Sequence, residues 1–349
     1  MISIAQPIIG KEERAAVDAV LASGNLAQGA KVAEFEEAFS AYTGADHAVA
    51  VSSGTAALHL ALLAHGVGHS SQVITSPFSF ISTANAVVHC GATPVFADVK
   101  AETFNMDPSL VEELITPFTK ALMPVHLYGN PADLDPLKDI ALRRGLAVIE
   151  DACQAHGAIY RGQKIGSMNT ACFSFYPSKN MTTGEGGMVT TDDAEIALAV
   201  RQLRQHGMNR GNIGFNYRMT DIQAAIGIEQ LKKLDNFNAA RRKNAGLLSD
   251  GLSGIVPCPT EAEGTTHCWH QFTIKLGSKR QSVLTALHEA GIGARVYYDP
   301  PIHRVNPYFT SGLKNADELA SSVLSLPVHP DVTEEDIAKM IEVISCALA

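Results

Sequence analysis

The sequence predicts an α/β fold, with a large doubly wound and mainly parallel sheet followed by a smaller C-terminal α+β domain. Two observations carry this expectation. From residue 11 to about residue 200, short apolar strand candidates alternate with stretches whose apolar residues recur at helical spacing. Near Asn236 the pattern changes to a long polar-punctuated helix, then strand, helix, strand, a Pro-rich loop and a last helix. At 349 residues the chain suits two domains, placed at 1–239 and 240–349.

Lys11 to Leu21 and Val32 to Tyr42 read as helices, followed by a strand at Ala48–Val51 and an Ala/Leu-rich helix at Ala56–Ala64. Further strands are expected at Gln72–Thr75, Thr93–Ala97, Ala121–Val125, Ala147–Glu150, Thr170–Phe175 and Gly187–Thr190. Helical patterns at Ser82–His89, Pro108–Leu114 and Leu134–Arg144 separate several of them. The C-terminal part reads as helix Leu231–Arg242, strand His270–Leu276, helix Gln281–Ala290, strand Ala294–Tyr297 and helix Glu334–Leu348.

Composition narrows the function classes. The formal net charge of −9 argues against a nucleic-acid surface, which needs a basic stripe. No apolar run is long enough to span a membrane, and the first residues lack a secretory pattern. Six scattered cysteines without a CxxC pair suit reduced thiols in a cytoplasmic enzyme, with neither a disulfide framework nor a metal site.

The chemistry concentrates at the ends of strands, where doubly wound sheets bind ligands. In FSFYPSKNMTTGEGGM, Lys179 sits between a short aromatic strand and a Thr/Gly/Glu/Gly loop. A lysine held in place forms Schiff bases with carbonyls, which points to an aldehyde cofactor, pyridoxal phosphate (PLP). Such a cofactor also needs an acid for its pyridine nitrogen and a grip on its phosphate. Asp151, 28 residues earlier, ends an apolar strand; alone it suits a metal ligand, a base or a partner for a protonated ring. Ser52-Ser53-Gly54-Thr55 stands where a strand meets a helix, either an anion site or an ordinary N-cap. Phe80, in TSPFSF, can stack on a planar ring or pack in the core. Asp151 and Lys179 together make the PLP reading specific.

These stretches, with QGAKVAEFEEAFSAYTGADHAVAVSSGTAAL, VIEDACQAHGA, NYRMTDIQAAIGIEQLKKLD and LPVHPDVTEEDI, resemble the DegT/DnrJ/EryC1/StrS sugar aminotransferases, a branch of the fold-type-I PLP-dependent transferases. The resemblance implies that Lys179 bears the cofactor and shuttles the proton, while Asp151 pairs with the pyridine nitrogen. It places Gln154 near the ring's phenolic oxygen, Phe80 on its face, and Gly54, Thr55 and Ser174 at the phosphate. Asn216 of the N-Y-R motif would reach the cofactor of a neighbouring subunit, which implies a homodimer with shared active sites. Relatives that dehydrate sugars carry histidine in place of this lysine, so Lys179 favours amine transfer.

The expected reaction aminates a nucleotide-linked keto-sugar with an amino acid donor, by family most often L-glutamate. Tyr298 and His303, in RVYYDPPIH, are the candidate substrate contacts, each also readable as packing or as a satisfied loop histidine. Lys31 and Arg218 are candidates for the nucleotide phosphates. Alternatives are a keto-cyclitol or other non-nucleotide substrate, or a PLP-binding regulator without turnover. A nucleotide-triphosphate loop is excluded because G-x-x-x-x-G-K-[ST] is absent.

Overall fold

A computed structural model of the chain describes residues 1–208 and 213–349. Its strands in chain order are β1 (His47–Val51), β2 (Gln72–Thr75), β3 (Thr93–Phe96), β4 (Thr119–Met123), β5 (Ala147–Asp151) and β6 (Ile159–Tyr160). They continue as β7 (Gln163–Lys164), β8 (Thr170–Ser174), β9 (Gly187–Thr191), β10 (Thr265–Thr266), β11 (Phe272–Lys275) and β12 (Val323–Leu326). The helices are α1 (Lys11–Ser23), α2 (Ala30–Thr43), α3 (Gly54–Ala64), α4 (Ser82–His89) and α5 (Leu134–Arg144), then α6 (Ala194–Leu203), α7 (Asp221–Leu252), α8 (Arg280–Glu289), α9 (Lys314–Ser322) and α10 (Glu334–Leu348).

Seven strands form one sheet in the order β1-β9-β8-β5-β4-β2-β3, and all seven overlap strands expected from the sequence, β4 beginning two residues earlier than expected. The β2–β3, β2–β4, β4–β5 and β5–β8 pairs are parallel, whereas β9 runs antiparallel to both β1 and β8. Because β1 and β8 both oppose β9, they run the same way as β5, β4 and β2. The residues that follow these five strands therefore emerge at one edge of the sheet.

Side chains alternate between the two faces along each strand. On one face, Ala48, Ala50, Ala171 and Phe173 join a core with Phe35, Phe39 and Phe175. On the other, Val49, Val51, Ile149 and Cys172 pack with Leu58 and Leu62 of α3 and Val87 of α4.

Helix α7 is longer than the Leu231–Arg242 pattern suggests, starting at a capping box formed by Thr220 and Gln223. Its early residues Ala224, Ile228 and Leu234 belong to the core under the large sheet, and Ala245, Leu248 and Leu252 to the C-terminal core. We propose that the division at 239/240 separates these two cores along this shared helix. The N-terminus lies with the C-terminal part, since the Ile2 and Gly293 backbones bond to Gly291 and Ile2 carbonyls at 2.9 and 2.7 Å.

Three local expectations change. Pro108–Leu114 forms two single 3-10 turns, Pro108–Leu110 and Glu112–Leu114, the first begun by Asp107 accepting from Ser109 N–H. Ala294–Tyr297 is not a strand: Arg295 makes one bridge to Ser325, and the Tyr297 carbonyl accepts the Tyr128 hydroxyl, so it is not free to extend the ladder. The partner of β11 is β12, which the sequence reading did not pick out.

Gly187 opens β9 directly beneath the turn after β1. A Cβ there would run into the Ser53 carbonyl oxygen and stand 2.9 Å from Gly54 N. Gly187→Ala should therefore force two backbone segments apart, at a cost of about 1–3 kcal/mol. A lower urea midpoint of the purified protein is the expected result; an unchanged midpoint would mean that the turn does not cross β9 this closely.

Candidate functional site

The common strand edge collects the chemistry the sequence singled out. After β1, Ser53 caps α3 by accepting Ala56 N–H at 3.1 Å. Gly54 then approaches β8 so closely that a Cβ would stand 2.7 Å from Ser174 Cβ and 3.0 Å from Cys153 Sγ. The turn is thus an N-cap whose glycine lets the helix N-terminus approach Ser174. Thr55 continues the link, donating its hydroxyl to Ser82 Oγ at 3.1 Å on α4.

β5 ends in two carboxylates, and strand alternation gives them different surroundings. Glu150 is fully buried on one face, where Asn169 Nδ2 donates to Oε1 at 2.5 Å and His126 Nε2 lies 2.9 Å from Oε2. His126 Nδ1 accepts Ala132 N–H at 2.9 Å, so the proton is on Nε2 and the imidazole donates to Glu150. Glu150 is a structural acceptor. Asp151 shares its face with Ile149; Oδ2 accepts the Thr83 hydroxyl at 2.7 Å and Oδ1 accepts Cys153 N–H at 3.2 Å. Thr83 was not among the residues expected at the site.

Lys179 lies in the loop from β8 to β9, partly buried, with its N–H bonded to Tyr176 O at 2.9 Å. Burial pulls its amine below the ordinary lysine value, against the opposing influence of Cys153 and Asp151. The loop is pinned from within and from α7. Thr182 Oγ1 donates to Phe175 O at 2.8 Å, Asn180 Nδ2 to Asn238 Oδ1 at 2.8 Å, and Gln223 Nε2 to Glu185 O at 2.9 Å.

Gln154 is buried with its amide orientation fixed. Tyr128 N–H donates to Oε1 at 2.8 Å, so Nε2 faces the Tyr298 hydroxyl at 3.0 Å. The Tyr298 ring is 6.2 Å from that of Phe80, which is 54% exposed and so has area free to cover a planar ligand. Burial, first among its causes, pushes the Tyr298 phenol above the ordinary tyrosine range. His303 has different contacts. It is fully buried and bonds through Nε2 to Asp317 Oδ1 at 3.0 Å, tying the Pro-rich loop to α9, while its Nδ1 has no hydrogen-bond partner. Asn216 is exposed, one residue from Tyr217, whose carbonyl accepts Ser52 N–H at 2.8 Å. Lys31 pairs with Glu34 at 2.6 Å in an exposed ion pair, and Arg218 is half-buried.

Among the described residues no group of three or more His, Cys, Asp or Glu side chains is placed to hold a metal ion, and no helix is long and apolar enough to cross a membrane. The donor set fits PLP instead. It combines an amine with a lowered pKa, a strand-tip carboxylate, an exposed aromatic face, and a glycine-opened helix N-terminus lined by hydroxyls.

Comparison with known proteins agrees with this chemistry. The DegT/DnrJ/EryC1/StrS aminotransferase family profile matches residues 7–345. The chain belongs to this family. It is 42% identical over 358 residues to the GDP-perosamine synthase of Caulobacter vibrioides, covering 97% of this chain and 96% of that one. Among solved structures, DesV of S. venezuelae superposes with a TM-score of 0.94 at 39% identity, covering 97% and 95% of the two chains. Spr1654 from Streptococcus pneumoniae, solved in a PLP form, does so with a TM-score of 0.94 at 28% identity over 99% and 98%. The fold is accordingly that of the fold-type-I transferases, the family is PLP-dependent, and the chain is an aminotransferase.

The different surroundings of the two β5 carboxylates give a paired prediction. Asp151→Asn should leave the protein folded but lower its PLP content and its aminotransferase activity. Glu150→Gln should lower unfolding stability by about 1–3 kcal/mol and keep the cofactor. PLP content measured beside the urea midpoint checks both, and the reverse pattern would put the wrong carboxylate in the site.

Proposed function

We propose that this protein is a cytoplasmic, homodimeric aminotransferase that converts a nucleotide-linked keto-sugar to the corresponding amino-sugar, with PLP as cofactor and an amino acid, L-glutamate first, as donor. The observation that carries this reading is the gathering of Lys179, Asp151, Gln154, Ser174 and the Gly54–Thr55 turn at one sheet edge. The similarity to a GDP-perosamine synthase supports the nucleotide-sugar class.

Lys179 would bear the cofactor, Asp151 would pair with its ring nitrogen, and Phe80 would cover its ring. Gln154 Nε2 would approach the phenolic oxygen, with Gly54, Thr55 and Ser174 at the phosphate. When bound, PLP supplies the electron sink that makes an amino acid α-proton removable and stores the amino group between half-reactions. The chain's own part is proton management and positioning. Lys179 Nζ takes the α-proton from the donor side and returns a proton to the sugar carbon, a role suited to an amine whose pKa burial has lowered. The donor leaves as its oxo acid, and the keto oxygen of the sugar leaves as water.

The exposed Asn216 supports a second subunit completing the site, as the resemblance implies. For the sugar we place Tyr298 ahead of His303, because Tyr298 lies beside Phe80 and Gln154 while His303 is fully buried with its Nε2 on Asp317. The intact lysine speaks for turnover over a purely regulatory role.

A panel of nucleotide-linked keto-sugars and free keto-cyclitols, each supplied with L-glutamate, tests the proposal by 2-oxoglutarate release and product mass. Amination of a nucleotide-linked sugar is expected, and Lys179→Ala should reduce it at least about 10²-fold while the dimer persists in solution. Amination confined to free cyclitols would overturn the substrate class. Undiminished turnover by the variant would overturn the role of Lys179.

A further inference from the structure

The first turn of α4 touches three parts of the site at once. Phe80 precedes it, Ser82 receives the Thr55 hydroxyl, and Thr83 bonds to Asp151. The last contact has a defined direction. A carboxylate only accepts, so the Thr83 hydroxyl proton points at Asp151 Oδ2 at 2.7 Å. Ser79 Oγ lies 2.8 Å from Thr83 Oγ1 and must then donate to it. Ser79, Thr83 and Asp151 are 3%, 1% and 5% exposed, so water does not replace these bonds cheaply.

We propose that Thr83 is a positioning residue for the cofactor. Through the one-way chain from Ser79 to Thr83 to Asp151, its hydroxyl fixes the plane of the carboxylate that receives the pyridine nitrogen. With Cys153 N–H on Oδ1 and Thr83 on Oδ2, both oxygens are anchored and rotation of the carboxylate breaks a bond on each side. A carboxylate has about four acceptor sites, so two remain for a ligand. The same helical turn holds Ser82 against Thr55, which couples the orientation of Asp151 to the phosphate-side turn. The inference rests on the PLP reading above.

Two substitutions separate positioning from packing. Thr83→Val keeps the shape and removes the hydroxyl, whereas Thr83→Ser keeps the hydroxyl and leaves a void. Full-length protein stripped of cofactor is titrated with PLP, following the visible absorbance and the melting temperature of each variant. Thr83→Val should raise the dissociation constant about tenfold, the worth of one hydrogen bond to a charged group, and alter the visible band. Thr83→Ser should stay within about threefold of the parent, since it retains that bond.

A Thr83→Val affinity within threefold of the parent, or a Thr83→Ser loss as large as that of Thr83→Val, would overturn the inference and leave Thr83 a packing residue. Should Thr83→Val not fold, Ser79→Ala decides: a rise of about threefold at unchanged melting temperature supports the chain, and parental affinity overturns it. Parent protein that takes up no PLP would instead overturn the cofactor reading itself.

Discussion

The candidate site depends on one close approach: the turn after β1 crosses the start of β9 and reaches the end of β8. Two glycines permit it, because a Cβ on Gly187 would strike the Ser53 carbonyl and one on Gly54 would strike Ser174. With side chains at both places, the N-terminus of α3 could not sit beside Ser174, and the hydroxyl-lined turn would part from the lysine loop. The antiparallel β9 makes the crossing necessary, since it separates β1 from β8 while leaving both pointed at the same edge. Gly187 of the EGGM run is therefore a packing requirement as well as the start of β9.

Around that crossing, the two groups proposed to hold the cofactor have opposite needs. Lys179 is useful as a neutral amine, and burial moves it that way. Asp151 is useful as an oriented acceptor, and its two hydrogen bonds from Thr83 and Cys153 hold it in place. Neither arrangement comes from net charge, which is −9 for the whole chain. Local desolvation and hydrogen bonding set the state of both groups.

Much of the large sheet was legible because each of its strands is a short apolar run bounded by turn residues, and several candidate site residues lie at the tips of those strands. Strand alternation within Ile149–Asp151 already separates Glu150 from Asp151, a signal in the sequence that went unused. Thr83 was not legible: its partner lies 68 residues away, and a threonine on an apolar helix face looks like packing. The Tyr297 carbonyl is similar, since its bond to Tyr128 spans 169 residues and ends a stretch that local pattern reads as strand. His303 shows the converse, a histidine in a promising motif whose contacts, once seen, run to Asp317. Local pattern located elements and candidate groups; partners distant in sequence decided which candidates converge.

The most direct test of this account is where the cofactor attaches. Protein saturated with PLP is reduced with borohydride, digested and mapped by mass. The account requires the reduced pyridoxyl adduct on the peptide carrying Lys179, with loss of the visible absorbance. An adduct on a different lysine, or none on protein that has bound PLP, would contradict it.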